Sequence, residues 1–282
     1  MMIGAGHMQT PLWLRRRLLD ERSPLERAEA DFFRQLCAFL GDCSARGCSL
    51  HLQRWVALRD VLECCSEDEA DRMAFAEYDA RWPLQYVVTG EQACVVCAFD
   101  IDGTGWRRGL RMAEEKRTLM QAAGHHYAHF DLNSPGIGVD SVCRYIANRA
   151  EMGPSEVRCG GFLRRERLLQ AREWQLYAQA LMPAAQAHGD EVFMRMRLDG
   201  VIRCDRSLRR RLAGSSFDFV IAGSSDTTIR CAVELCGEAD AAAVRRRGES
   251  GLAAAAAADA GLRLVQLRAD ADAARAEALM YA

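Results

Sequence analysis

The chain contains an internal repeat, and this feature constrains its fold more than any other. The segments Leu84–Gly103 and Phe217–Gly237 both read as strand, glycine-containing turn and strand, and in both an acidic residue stands three positions before the final glycine. Each segment is followed by a helical stretch that closes on Ala-Gly and then by a short run of β-forming residues. Such a repeat predicts two copies of one supersecondary unit.

The two hairpin segments align when the second turn is given one extra residue. The alignment shows which positions keep an acidic residue in both copies and which keep it in one copy only. The aligned pairs are Gln85 with Asp218, Asp100 with Glu234, Asp102 with Cys236, and Gly103 with Gly237.

The similarity extends upstream of the hairpins. Each copy has an amphipathic helix in which a glutamate precedes an aromatic residue by four positions, namely Glu29 and Phe33 in the first and Glu173 and Tyr177 in the second. Each helix is followed by a run that alternates apolar and polar residues and ends in a short L-x-x-V turn. The element order therefore predicts the α/β class with an α+β-like order, in which each copy is a small mixed sheet flanked by helices.

The punctuation of the chain predicts where the copies begin and end. We expect the first copy to cover residues 1–132, with a core of about 18–132, and the second to cover residues 163–282, with a core of about 163–272. The junction, residues 133–162, is bounded by Gly and Pro and has a short helix of its own around Val142–Ala150.

The string VVCAFDIDGTG, which contains Asp100 and Asp102, resembles the first motif of haloacid-dehalogenase-like phosphatases. In that family the first Asp is a phosphoryl-accepting nucleophile and the second is a general acid/base. The repeat argues against this interpretation, because the matching place in the second copy reads VELCG. Lys116 also follows only about one helix later, too soon for the lysine of such a phosphatase. The phosphatase hypothesis is therefore a minor alternative.

Both copies resemble the PD-(D/E)XK nuclease superfamily, and more closely a bacterial domain-of-unknown-function family related to very-short-patch-repair endonucleases. The second copy carries LLQAREWQLYAQAL, FDFVIAG, AVELCG and AAADAGLRLVQL, and the first carries SPLERAEADFFRQL, AFDIDG and LMQAAGHHYAHF. The motifs are short, and the resemblance depends on their shared order in both copies. It covers most of the chain and implies two restriction-endonuclease-like units.

The resemblance implies a metal-dependent site. In the superfamily, an Asp at the start of one hairpin strand and an acid at the end of the next bind Mg²⁺, which polarises the phosphate and activates water. In the second copy Asp218 and Glu234 match this metal-binding pair, and Glu173 matches the acid of the helix. Cys236 stands where the family has Lys or Asp.

The first copy matches the same pattern differently. Asp100 and Asp102 match the acid-bearing end of the hairpin as catalytic and metal-binding residues, and Glu29 matches the acid of the helix. The hairpin Asp is replaced by Gln85, a poor Mg²⁺ ligand, and Lys116 on the following helix is a weak substitute for the missing lysine. Neither copy keeps a complete set, so we expect impaired catalysis.

Basic residues suggest nucleic acid as a partner. The net charge of −2 gives no overall attraction to nucleic acid, so any contact must come from local arginine clusters. Two arginine triplets would flank the second site, and solvated helix faces are the alternative explanation for them. The predicted nucleic-acid-binding residues are Arg209, Arg210, Arg211, Arg245, Arg246 and Arg247.

Other features of the sequence bear on location and metal binding. We expect a cytoplasmic bacterial protein without a membrane partner, because the start shows no signal-peptide pattern and no apolar run is long enough to span a bilayer. The 12 cysteines are then expected to be reduced. Cys94 and Cys97 read as buried apolar residues of a strand rather than metal ligands, and His125 and His129, which would share a face, read as strand residues with a metal or catalytic role as the alternative.

The leading hypothesis is a catalytically impaired, metal-dependent nuclease homologue that binds nucleic acid, with Mg²⁺ as the implied cofactor. The alternative is a structural or partner-interaction pseudo-enzyme in which the two copies pack as an intramolecular pseudo-dimer.

Overall fold

A computed structural model describes residues 24–102, 110–153, 161–202, 212, 215–224, 228–236 and 253–282, with residues 24–30, 110 and 111 described by their backbone only. Within this part of the chain, two four-stranded mixed sheets are flanked by helices, and a two-stranded ribbon completes the fold. The predicted fold class is confirmed.

The first sheet has the strand order β1-β3-β4-β5. The pairs β1/β3 and β3/β4 are antiparallel, whereas β5 runs parallel to β4. Its strands are β1 (His51–Val56), β3 (Leu84–Thr89), β4 (Val95–Asp102) and β5 (Tyr127–Asp131).

The second sheet has the corresponding order β7-β8-β9-β10 with the same sequence of antiparallel, antiparallel and parallel pairs. Its strands are β7 (Asp190–Met194), β8 (Phe219–Gly223), β9 (Ile229–Cys236) and β10 (Leu264–Arg268).

The strand registers of the two hairpins are equivalent. Tyr86 lies opposite Phe99 in the first sheet, and Phe219 lies opposite Val233 in the second. Both hairpins also shift register at the same place, after Val88 and after Ile221. The registers therefore make Gln85 equivalent to Asp218 and Asp100 equivalent to Glu234, as the sequence alignment predicted.

Helices occupy both faces of these sheets and fill the predicted positions. The helix before β1 corresponds to the helical segment before β7, which contains a π-helical turn at Tyr177–Leu181. The helices are α1 (Pro24–Ala45), α2 (Leu58–Val61), α3 (Glu69–Arg81), α4 (Leu110–Ala122), α5 (Val139–Met152), α6 (Ala171–Leu176), α7 (Met182–Ala187), α8 (Leu198–Val201), α9 (which includes residues 253–259) and α10 (Ala273–Tyr281).

The repeated Ala-Gly motif ends a helix in the same way in both copies. Gly124 and Gly261 adopt φ values of 78° and 66°, which a residue without a Cβ adopts at little cost. The amide of the following residue then donates to a carbonyl five residues earlier, from His125 to Met120 and from Leu262 to Ala257, both at 2.8 Å. This hydrogen-bonded glycine cap ends the helix and directs the chain into the following parallel strand.

The two copies meet at their equivalent edge strands. Val56, at the end of β1, forms an isolated antiparallel bridge with its counterpart Met196, just beyond β7. The residue before each, Trp55 and Arg195, has φ of 53°, a left-handed conformation that is unusual for a residue with a side chain. Each of the two apolar cores contains residues of both sheets. The copies therefore form an intramolecular pseudo-dimer.

A fully buried arginine joins the copies. Arg197 donates from Nη1 to the carbonyl of Asp79 at 2.6 Å and from Nη2 to the carbonyl of Ala80 at 2.8 Å, both near the C-terminus of α3 in the first copy. Its Nε and Nη2 also donate to both carboxylate oxygens of Asp199 at 2.8 and 2.9 Å. A cation is well placed where helix carbonyls lack partners within the helix.

The predicted junction packs against the first copy. Its helix, α5, contacts α1 and β4. The strand β6 (Phe162–Arg164), which crosses the predicted boundary between the junction and the second copy, pairs with β2 (Leu62–Cys64) of the first copy. The boundaries drawn from the sequence stay a prediction. No described helix is both long and apolar enough to cross a membrane.

Candidate functional site

Two of the acids predicted in the second copy converge on one arginine. Glu173, at the third position of α6, accepts from Arg195 Nη2 through both of its carboxylate oxygens, at 2.7 and 2.8 Å. Asp218, immediately before β8, pairs with Nη1 of the same guanidinium. The structure thus brings together the helix acid, Glu173, and the hairpin acid, Asp218. The positive charge between them is the guanidinium of Arg195.

The surroundings of Arg195 keep it charged. Burial by itself lowers the pKa of the guanidinium, but the carboxylates of Asp218, Glu173 and Asp60 oppose this and raise it above its ordinary value. Nε donates to the Leu168 carbonyl at 3.3 Å. Arg195 is 8% exposed and Glu173 is 6% exposed, so water contributes little to neutralising this cluster.

Glu234, the third predicted acid, is buried in β9. By register it lies across the hairpin from Asp218, one residue beyond the Phe219–Val233 pair. The amide of the next residue, Leu235, donates to Asp218 Oδ2 at 2.8 Å. The hairpin therefore places Asp218 and Glu234 side by side on adjacent strands, as the sequence predicted.

In the first copy the acid equivalent to Glu234 is Asp100, and it is paired with a buried base. Asp100 forms an ion pair with Lys116 of α4, whose ammonium also donates to the Pro83 carbonyl at 2.6 Å. Both side chains are almost fully buried. Asp100 Oδ1 accepts a hydrogen bond from the backbone amide of Gln85 at 2.8 Å.

Gln85 preserves one of the structural interactions of Asp218. Its side-chain oxygen accepts from the amide of Ile101 at 2.6 Å, and Ile101 is equivalent to Leu235, whose amide donates to Asp218. The amide side chain therefore replaces the carboxylate as hydrogen-bond acceptor without bringing a charge. This explains why the fold tolerates glutamine there while the predicted metal ligand is lost.

Asp102 lies at the end of β4, where His129 of β5 approaches it. His129 Nε2 is 3.0 Å from Asp102 Oδ2, and both side chains are largely buried. In the second copy the equivalent residues are Cys236, which is exposed, and Gln266. This acid–histidine pair is therefore confined to the first copy.

The His and Cys side chains that were considered as metal ligands do not form a cluster. His125 is buried, its Nε2 donates to the Val61 carbonyl at 2.8 Å, and burial lowers its pKa to about 4, whereas His129 faces Asp102. Cys97 is buried in β4, and burial raises the pKa of its thiol. Among the described residues, no group of three or more His, Cys, Asp and Glu side chains could hold a metal ion. The acids supply the hard oxygen ligands that Mg²⁺ needs, but Arg195 neutralises Glu173 and Asp218 and Lys116 neutralises Asp100, so the residues present do not fit the predicted ion.

Some predicted site residues lie outside the described part of the chain. For Glu29 only the backbone, within α1, is described. The six arginines of the triplets at 209–211 and 245–247 also fall outside it. Their roles stay predictions.

Arg195 is the residue that sequence reasoning missed. A signal was present: Arg195 stands in the apolar run VFMRMRLDG, where a strand pattern places a charged side chain close to the core. The register aligns it with Trp55, so the repeat itself gave no reason to expect a cation at this position.

Comparison with known proteins adds one observation about the second copy. Residues 163–279 match the model of a family described as "Protein of unknown function (DUF2726)". This DUF2726 segment begins at the residue where the second copy was predicted to start and contains Glu173, Arg195, Asp218 and Glu234. No curated protein and no solved structure matches the chain significantly.

Proposed function

We propose that the protein is a non-cleaving relative of PD-(D/E)XK nucleases, a fused pair of nuclease-type domains that binds nucleic acid without cutting it. The observation that carries this proposal is the pairing of Arg195 with Glu173 and Asp218. A nuclease of this type needs these carboxylates free to bind a divalent ion. Here they are neutralised by the chain itself.

The first copy supports the same function in a second way. Its hairpin aspartate is replaced by Gln85, its acid Asp100 is paired with Lys116, and Asp102 lies 3.0 Å from His129. An ion pair this deeply buried is costly to separate, since each charge would lose its oppositely charged partner in a medium of low dielectric constant. These ion pairs support the proposal that neither copy binds a catalytic metal ion.

Nucleic acid is the partner suggested by the arginine triplets at 209–211 and 245–247. Arginine presents a planar fork of donors that suits phosphate oxygens. Because the net charge is −2, binding should depend on these local clusters and weaken steeply with salt.

A cleavage assay tests the catalytic half of the proposal. Plasmid and single-stranded DNA are incubated with the protein and Mg²⁺ or Mn²⁺, beside a Glu234→Gln variant purified in parallel. We expect no cleavage above that of the variant. Metal-dependent cleavage by the wild-type protein that Glu234→Gln abolishes would contradict the proposal.

A gel-shift assay at low and moderate salt tests the binding half. Replacing Arg209, Arg210 and Arg211 with Gln should weaken the shift and flatten its salt dependence. The matched control replaces the exposed Arg34, Arg46 and Arg81, which removes the same charge elsewhere. If the two triple variants weaken the shift equally, the effect is one of net charge and not of a binding cluster.

The alternative, a partner-interaction pseudo-enzyme, is favoured by the pseudo-dimer contact at Val56 and Met196, which is formed within the chain itself. Failure of the wild-type protein to shift single- or double-stranded DNA or RNA at low salt would select this alternative.

A further inference from the structure

We propose that Arg195 is a permanent replacement for the metal ion in the second copy, and that it keeps divalent ions out by holding the carboxylates that would bind them. This inference rests on the proposed function, because it takes the acid cluster to be a former metal site. It goes further by assigning the loss of metal binding to one side chain.

The contacts of Arg195 leave little of either carboxylate for a metal. Both oxygens of Glu173 accept from Nη2, and Glu173 Oε2 also accepts from the amide of Gln170 at 2.8 Å. One carboxylate oxygen of Asp218 accepts a hydrogen bond from Arg195 Nη1, and the other accepts one from the backbone amide of Leu235. An ion could bind only by displacing a guanidinium whose pairing is strengthened by burial.

The backbone holds Arg195 in this position. Its left-handed φ is repeated at Trp55, so this conformation belongs to the repeated unit and was not introduced with the arginine. Its amide donates to the Asp218 carbonyl at 3.0 Å, which ties it to the residue whose carboxylate it neutralises. Arg195 is therefore held at its backbone by the Asp218 carbonyl and at its guanidinium by the two carboxylates.

Charge explains why a cation is needed here. Without the guanidinium, two largely buried carboxylates would face each other, and a third, Asp60, whose pKa burial already raises, would lose the charge of Arg195 that lowers this pKa. Such a group is stable only with a proton or a cation. Hard carboxylate oxygens prefer ions such as Mn²⁺ and Mg²⁺, so removing Arg195 should convert the cluster into a metal site.

The test uses the full chain and Arg195→Asn, since Asn tolerates a left-handed backbone better than most residues. Thermal unfolding is measured with EDTA and with Mn²⁺, and bound Mn²⁺ is counted by electron paramagnetic resonance. The wild-type protein should show no Mn²⁺-dependent shift. Arg195→Asn should unfold at a lower temperature in EDTA, and Mn²⁺ should raise its midpoint by about 3–6 °C with one ion bound.

The matched control is the double variant Arg195→Asn/Asp218→Asn, which should lose the Mn²⁺ response. A wild-type Mn²⁺ shift that Asp218→Asn removes would overturn the inference, as would a folded Arg195→Asn variant that ignores Mn²⁺. If Arg195→Asn accumulates unfolded, refolding is compared in Mn²⁺ and EDTA. Recovery in Mn²⁺ alone supports the inference, and equal failure overturns it.

These outcomes can be distinguished from a failure of the proposed function. DNA cleavage by the wild-type protein would contradict the proposed function, whichever residue holds the acids. An unchanged Mn²⁺ response in Arg195→Asn would contradict only the role of Arg195.

Discussion

The acid sites of the two copies lie at the same end of the hairpin in sheets of the same strand order, yet different cations neutralise different acids in them. In the first copy Lys116 reaches Asp100 from α4, whereas in the second copy Arg195 reaches Glu173 and Asp218 from the residue after β7. Each copy has an apolar residue where the other has its cation: Ala253 is equivalent to Lys116, and Trp55 to Arg195. Buried carboxylates near this end of the hairpin require compensation, and the two copies supply it to different acids from unrelated positions.

The largest effect should come from removing the cation of the first copy. Lys116→Met leaves Asp100 buried without its partner and should reduce the free energy of unfolding by roughly 3–5 kcal/mol. Urea denaturation measures this loss, and Lys116→Met/Asp100→Asn should recover much of it. A single variant as stable as the wild-type protein would show that Asp100 needs no cation, and the comparison would fail.

A pH-dependent effect should come from Asp60, which is equivalent to Gly200 of the second copy. Burial raises the pKa of Asp60 from an ordinary value near 3.8 to about 6. Between about pH 4 and pH 6, Asp60 is protonated in the folded state and ionised in the unfolded state. The free energy of unfolding therefore falls as the pH rises through this range, by about 3 kcal/mol in total. Asp60→Asn should therefore be more stable than the wild-type protein at pH 8 and should lose this part of the pH dependence.

Chemical denaturation across that pH range measures the difference. The exposed Asp42 provides the control, since Asp42→Asn should leave the pH profile unchanged. If Asp60→Asn is less stable at pH 8, the attraction between ionised Asp60 and Arg195 outweighs the cost of burial.

Exchanging the hairpin residue sharpens the comparison further. Gln85→Asp places a second carboxylate beside Asp100 in the copy that lacks an arginine at the position of Trp55, and it should cost about 1–3 kcal/mol. Asp218→Gln keeps an acceptor for Leu235 but removes one partner of Arg195, and it should cost about 1–2 kcal/mol. Equal stability of Gln85→Asp and the wild-type protein would mean that Lys116 can neutralise two carboxylates.

The smallest effect should come from Cys236, which is exposed at the end of β9. Cys236→Asp copies Asp102 into the second copy and should change the free energy of unfolding by less than about 0.5 kcal/mol, because water solvates the new charge. Thermal unfolding measures this, and a loss larger than that would show that the site extends to the strand end in this copy too.

Much of the fold was predictable from the sequence because its signals are local. The alignment of Gln85 with Asp218 and of Asp100 with Glu234, including the extra turn residue, agrees with the observed registers. The Ala-Gly helix ends and the alternating strands depend on neighbours within a few residues, and a repeat doubles each signal. The ion pairs that the predicted metal ligands form with Lys116 and Arg195 were not predictable in the same way.

The sequence by itself determined two copies of one unit, a mixed sheet in each, and the acids placed at the hairpin ends. Only the tertiary structure decided that these acids are neutralised from within. Lys116 lies 16 residues from Asp100, and Arg195 lies 22 and 23 residues from its two partners, on other elements of the fold. Hydrophobic patterning determines which face of an element is buried, but packing determines which charged side chain from a distant element meets a buried acid.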